Sequence, residues 1–149
     1  MHLHPAAAPS SVPRTVARLA FAAFLAVAGV AHLVSAGSFR AQIPPWLPAP
    51  ELVIALSGVL ELALAAALAL TPRRHRPAVG WVVAAFLVAV FPGNISQFVT
   101  GTDGFGLDTD RARGIRLLFQ PLLVLLVLWS TGAWAAWRAA RTNDAPPRP

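Results

Sequence analysis

A chain of 149 residues with 56% hydrophobic and only 12% charged side chains, and a mean hydropathy of +0.62, falls outside the range of soluble domains. Its formal net charge of +6 rests on twelve arginines and no lysine, and because these flank apolar runs they do not form the basic face of a nucleic-acid-binding protein. The absence of cysteine excludes disulfide exchange, thiolate catalysis and cysteine-held iron–sulfur clusters.

In chain order, residues 1–14 contain Pro5, Pro9 and Pro13 and are expected to lack fixed structure, and His2 and His4 in such a tail cannot preorganise a metal site. An apolar run over residues 15–34 follows, closing on His32. A cleaved signal peptide is the competing account of it, because Arg14 and Arg18 precede the run and Val34-Ser35-Ala36 is a small-residue cleavage pattern. Against cleavage stand the length of the run and its internal histidine. Pro44, Pro45, Pro48 and Pro50 then forbid helix continuity, and Ile43, Trp46 and Leu47 give that segment an apolar side suited to a membrane surface.

The second span covers residues 51–70 and holds Glu61 in its middle, and a short basic turn over 71–77 returns the chain as an antiparallel hairpin. Residues 78–99 form the third span. Residues 100–114, rich in Gly and Asp, read as a mobile surface loop. Its Asp103, Asp108 and Asp110 lack the spacing and closing glutamate of a calcium-binding EF-hand loop. Residues 115–137 form the fourth span, and 138–149 a second tail without fixed structure. Each run is near the ~20 residues that carry a helix across ~30 Å of hydrocarbon, and none alternates as a strand would. The predicted fold is an all-α membrane protein, a four-transmembrane-helix up-down bundle over residues 15–137.

Arginine sets the expected orientation. Arg14, Arg18, Arg73, Arg74, Arg76, Arg138, Arg141 and Arg148 lie on one side, and Arg40, Arg111, Arg113 and Arg116 on the other, so the positive-inside rule places both termini in the cytoplasm. Trp81, Trp134 and Trp137 then fall at the inner interface and Trp46 at the outer one.

A carboxylate inside a span is costly and by default marks function, so Glu61 leads the candidate site. Ser57, Gly58 and Ala65 share its helix face, and small side chains let a neighbouring helix come close, which turns Glu61 toward the interior. His32, Asn94, Gln97, Arg116 and Gln120 fall in the outer half with it, while the inner half is almost purely Ala, Leu and Val. Counting rise per residue sets Glu61 ~15 Å below the surface and ~10 Å from His32 in depth, which argues against direct contact and for a bridge through water or Gln120. Pro92 and Pro121 free backbone acceptors one turn earlier, at Val88 and Leu117.

Gly29-Val30-Ala31-His32, Ile43-Pro44-Pro45-Trp46-Leu47-Pro48, Leu56-Ser57-Gly58-Val59-Leu60-Glu61, Val90-Phe91-Pro92-Gly93-Asn94 and Arg116-Leu117-Leu118-Phe119-Gln120-Pro121-Leu122 together resemble the DoxX family of small four-helix membrane proteins. The likeness covers residues 15–137 and touches every span, with Gly93 standing where relatives more often carry alanine. It implies a bundle in the bacterial cytoplasmic membrane. The family takes its name from a small subunit of a thiosulfate:quinone oxidoreductase, and its polar positions fall here on His32, Glu61, Asn94 and Gln120.

Two readings are open for five of the candidates. Glu61 is either a protonated structural lock or a binding and proton-handling group, His32 a helix cap or a ligand contact, and Asn94, Gln97 and Gln120 interhelical glue or site residues. Three functions follow: a non-catalytic or quinone-contacting subunit of a redox-linked membrane complex, a small proton-coupled transporter, or a membrane scaffold or assembly protein. The cofactor is left open, a quinone being the one that the redox reading would bring, and no thiol, haem or iron–sulfur centre is expected. The expected partners are the lipid bilayer and membrane or peripheral redox proteins, not nucleic acid.

Overall fold

A computed structural model describes residues 11–104 and 106–143. His2 and His4, and the tails beyond these bounds, lie outside the described residues. Six helices form among those described: α1 (Val12–Val34), α2 (Ala36–Phe39), α3 (Pro50–Leu70), α4 (Arg76–Thr100), α5 (Asp110–Ser130) and α6 (Ala133–Asn143). Four of them, α1, α3, α4 and α5, are long and apolar enough to cross a membrane. The protein is an all-α bundle of the membrane type.

Several element boundaries differ from the sequence reading; the fourth span, for one, starts at Asp110 and not at residue 115. Pro13 opens α1 instead of breaking a tail, since a proline in the first turn loses no helical hydrogen bond. The fourth span ends at Ser130 and not at Trp137, because Gly132 takes a left-handed φ of 76° and its N–H bonds back to Trp129 O. Residues 133–143 then form α6, so the expected tail is helical to Asn143. On α6 the Trp134 and Trp137 rings lie tilted with centroids 5.3 Å apart, and the Arg141 guanidinium lies 4.5 Å from the centroid of the Trp137 ring.

α1 packs most extensively on α3, and α4 on α5; the two pairs join through α1–α5 and, more sparsely, α3–α4. One end of the bundle carries the α3–α4 turn and α6 and may be called the arginine end. At the other end, a strap over residues 35–49 and the α4–α5 loop close the helices. The apolar core fills the half toward the arginine end, from Phe21, Ala22 and Leu25 through Ala65 and Leu68 to Val83, Val127, Leu128 and Ala133. It is not free of polarity there. Arg18, buried on α1, donates to the carbonyls of Leu68 and Ala69 and so caps the last turn of α3.

The loop between α4 and α5 is pinned, contrary to its expected mobility. Arg113, itself buried, donates to Asp103 at 2.9 Å, to Asp110 at 2.8 Å and to Leu107 O at 2.9 Å. The acidic residues that give the loop a mobile, solvated look are the anchors that tie it to α5. Gly101 ends α4 with a left-handed φ of 63°, and the Thr109 hydroxyl accepts from Ala112 N at 3.2 Å to start α5.

Candidate functional site

The site begins with two glycines. A Cβ on Gly29 would come within 2.8 Å of Gly58 O, and one on Gly58 within 2.9 Å of Gly29 O, so α1 and α3 cross backbone to backbone. His32 and Glu61 each lie one turn beyond this crossing on their own helix. Side chains tilt toward the N-terminus of their helix, and in an antiparallel pair that tilt brings the two together. His32 Nδ1 lies 2.8 Å from Glu61 Oε2, which corrects the expected separation and removes the need for a bridging group. Counting rise along each axis leaves out the reach of converging side chains.

Glu61 is 8% exposed and turned into the bundle, with Ile54, Gly58, Ala65 and Leu68 buried on the same face. Phe39, from α2, stacks on the His32 ring with centroids 3.6 Å apart. His32 Nδ1 also lies 2.9 Å from Ala28 O, so one ring nitrogen sits between a backbone carbonyl and a carboxyl oxygen.

Across the interior runs a relay of polar side chains. Arg116 on α5 donates through Nε to Asn94 Oδ1 at 3.2 Å and through Nη2 to Gln42 Oε1 at 3.0 Å. Asn94 Nδ2 donates to Gln120 Oε1 at 3.2 Å, and Gln120 Nε2 to Leu87 O at 2.6 Å. Gln120 thus takes the carbonyl of Leu87, the residue before Val88. Leu87 faces the core at 4% exposure, and Val88 faces outward at 60%.

These groups surround a cavity of about 750 Å³ between the four long helices and the strap. His32, Glu61, Ser57, Asn94, Arg116 and Gln120 all line it, beside Phe24, Ile54, Phe86, Val90 and Phe119. Six of the seven sequence candidates thus share one chamber. The seventh, Gln97, does not line it: its Nε2 donates to Thr102 O at 3.2 Å and holds the end of α4, as its side of the helix turns to the loop. Gln42 was missed by the sequence reading. It lies in a three-residue turn of the strap, Arg40–Gln42, where no helical periodicity marks a face.

Gly93 is explained by the same strap. A Cβ there would stand 2.4 Å from Gln42 O, so an alanine at this position would push the strap off α4. Arg40 pairs with Glu51 across the ends of the strap, and Pro44 is buried while Trp46 stands 73% exposed at the cavity rim.

A family model described as a domain of unknown function, DUF8561, matches residues 21–134. The chain belongs to the DUF8561 family. The match contains every cavity residue named above and every long helix except the first turns of α1. No curated protein and no solved structure matches the chain.

Proposed function

We propose that this DUF8561 protein is a DoxX-like subunit of a redox-linked assembly in the bacterial cytoplasmic membrane, and that its cavity holds the headgroup of a lipid-soluble quinone. In this reading both termini are cytoplasmic, the strap end faces outward, and the chain binds and positions the ligand without catalysing a reaction by itself. The observation that carries it is the cavity. Its volume suits a small amphiphile, its walls are mostly apolar, and its polar groups converge at one level, the usual make-up of a small-molecule site. Phe24 and Phe119, both more than half exposed on the lipid-facing surface, are also lining residues, which supports entry of a hydrophobic ligand from the bilayer.

A quinone carbonyl fits one feature of the wall. Gln42 Nε2 is buried and lacks a hydrogen-bond partner among the described residues, and such a donor is costly unless a ligand's acceptor serves it. The proton-coupled transporter has less support. Beyond Glu61 the apolar core closes the bundle, and Arg18, the buried cation there, is committed to the α3 carbonyls.

The test is occupancy. Purified in native-lipid nanodiscs, the wild type should retain extractable quinone at close to one per chain. Ala28→Phe, which fills the cavity, should retain almost none while keeping its melting temperature within a few degrees. A wild type that holds no more quinone than the filled variant overturns the proposal.

A further inference from the structure

The two ends of the bundle differ in how their charges are matched. At the strap end Arg40 pairs with Glu51, and Arg113 with Asp103 and Asp110. The arginine end carries no acid among the described residues. Arg18 and Arg76 are committed there to carbonyls at the end of α3, Arg76 donating through Nε to Thr71 O at 3.2 Å. Arg14, Arg73, Arg74, Arg138 and Arg141 have no carboxylate partner among the described residues.

Part of this charge is displayed by α6. Its 11 residues rise ~16 Å, about half of what crossing the hydrocarbon takes, so it follows the last span without being one. Its start is fastened to the bundle: Ala133 is buried, and Thr131 just before it packs so closely on α4 that Gly80 has no room for a Cβ. Trp134, Trp137, Arg138 and Arg141 then follow at helical spacing on one face, with Ala135, Ala136, Ala139 and Ala140 on the other. The two indoles are 46% and 39% exposed, and both arginines are exposed. The Arg141 guanidinium lies over the Trp137 ring at 4.5 Å, and Arg14 lies over the Trp129 ring of α5 at 5.7 Å.

This set of side chains suits one kind of partner. Indoles settle where acyl chains meet headgroups, and a guanidinium can grip a phosphate with two parallel hydrogen bonds. Stacking on Trp137 holds the Arg141 side chain before a ligand arrives, so less rotamer freedom is lost on binding. A topology signal needs only the charge. It calls for neither exposed indoles on the arginine face nor a guanidinium laid over one of them.

We infer that the exposed face of α6 binds the headgroup of an acidic phospholipid, with Arg138 and Arg141 on its phosphate and Trp134 and Trp137 against its glycerol and upper acyl chains. Arg14, Arg73 and Arg74 raise the positive potential at the same end and draw such lipids toward it. The inference is independent of what the cavity holds.

The experiment is native mass spectrometry of the full chain in a neutral detergent, titrated with phosphatidylglycerol and, separately, with phosphatidylcholine of the same acyl chains. The first phosphatidylglycerol should bind at least about tenfold more tightly than the first phosphatidylcholine, the scale that two arginines at a bilayer surface supply. A smaller wild-type preference overturns the inference, whether or not any variant folds. Arg138→Gln combined with Arg141→Gln should remove most of the preference, whereas Arg73→Gln combined with Arg74→Gln, an equal loss of charge, should remove less than half. Equal losses from the two pairs would show a diffuse field in place of a site on α6. Glycerol 3-phosphate, a headgroup without chains, should give no adduct at the same concentrations, and adducts as abundant as those of the lipid would assign the face to a soluble anion and overturn the lipid reading.

Discussion

At the scale of single residues, what makes the site is the absence of two side chains. Gly29 and Gly58 let two helix backbones touch, and only at that spacing does the tilt of His32 and Glu61 close to 2.8 Å. Gly58→Val is expected to cost about 1–3 kcal/mol by overpacking, since its Cβ would meet His32 Cβ at 2.8 Å and backbone at 2.9 Å, neither of which is a flexible chain end. The check is thermal or denaturant unfolding in a fixed detergent, and a variant as stable as wild type would show that the helices do not cross there. Glu61 and its small-residue face were legible in the sequence, because a lone acid amid Leu and Ala stands out and helical spacing names its neighbours. Its partner was not, because depth along an axis says nothing about where a side chain reaches.

At the scale of elements, the helices are sound in the sequence and their joints are not. Runs of Ala and Leu of membrane-crossing length announce themselves, whereas α5 stops at a glycine whose left-handed φ is a matter of local geometry. The α4–α5 loop teaches the same lesson from charge. Asp103 and Asp110 are what a solvated loop would carry, and they are also what a buried arginine needs. Arg113→Ala should therefore convert residues 101–109 from a slowly exchanging segment to a fast one in hydrogen–deuterium exchange, with α1 and α3 unchanged. Protection that stays as in wild type would show that Arg113 does not hold the loop. The strap is a third case: its prolines announce that no helix can form, but its seat against Gly93 and its delivery of Gln42 to Arg116 depend on chain contacts more than fifty residues apart in sequence.

At the scale of the whole molecule, polarity is divided between two halves of one bundle. The half at the arginine end is a packed apolar core, and the half under the strap holds a chamber with an acid, an imidazole, three amides and a guanidinium in its wall. The distribution of arginine predicts which half faces out, and the lack of cysteine makes that simple to test. A single cysteine placed at Asp108 should react with a membrane-impermeant maleimide added to intact cells, and one placed at Arg74 should react only after lysis. The reverse pattern would put the chamber in the cytoplasmic half and invert the proposed access.

The sequence alone determined that this is a bundle of four long apolar helices and that its intramembrane polar groups gather toward one end, because hydrophobic length and helical period are properties of local residue order. The tertiary structure decided which of those groups meet: His32 with Glu61, Arg116 with Gln42 and Asn94, Gln97 with the loop instead of the chamber. Those pairings turn on how closely and at what rotation separate helices pack, and that is set by contacts between residues far apart in the chain, to which no local pattern gives access.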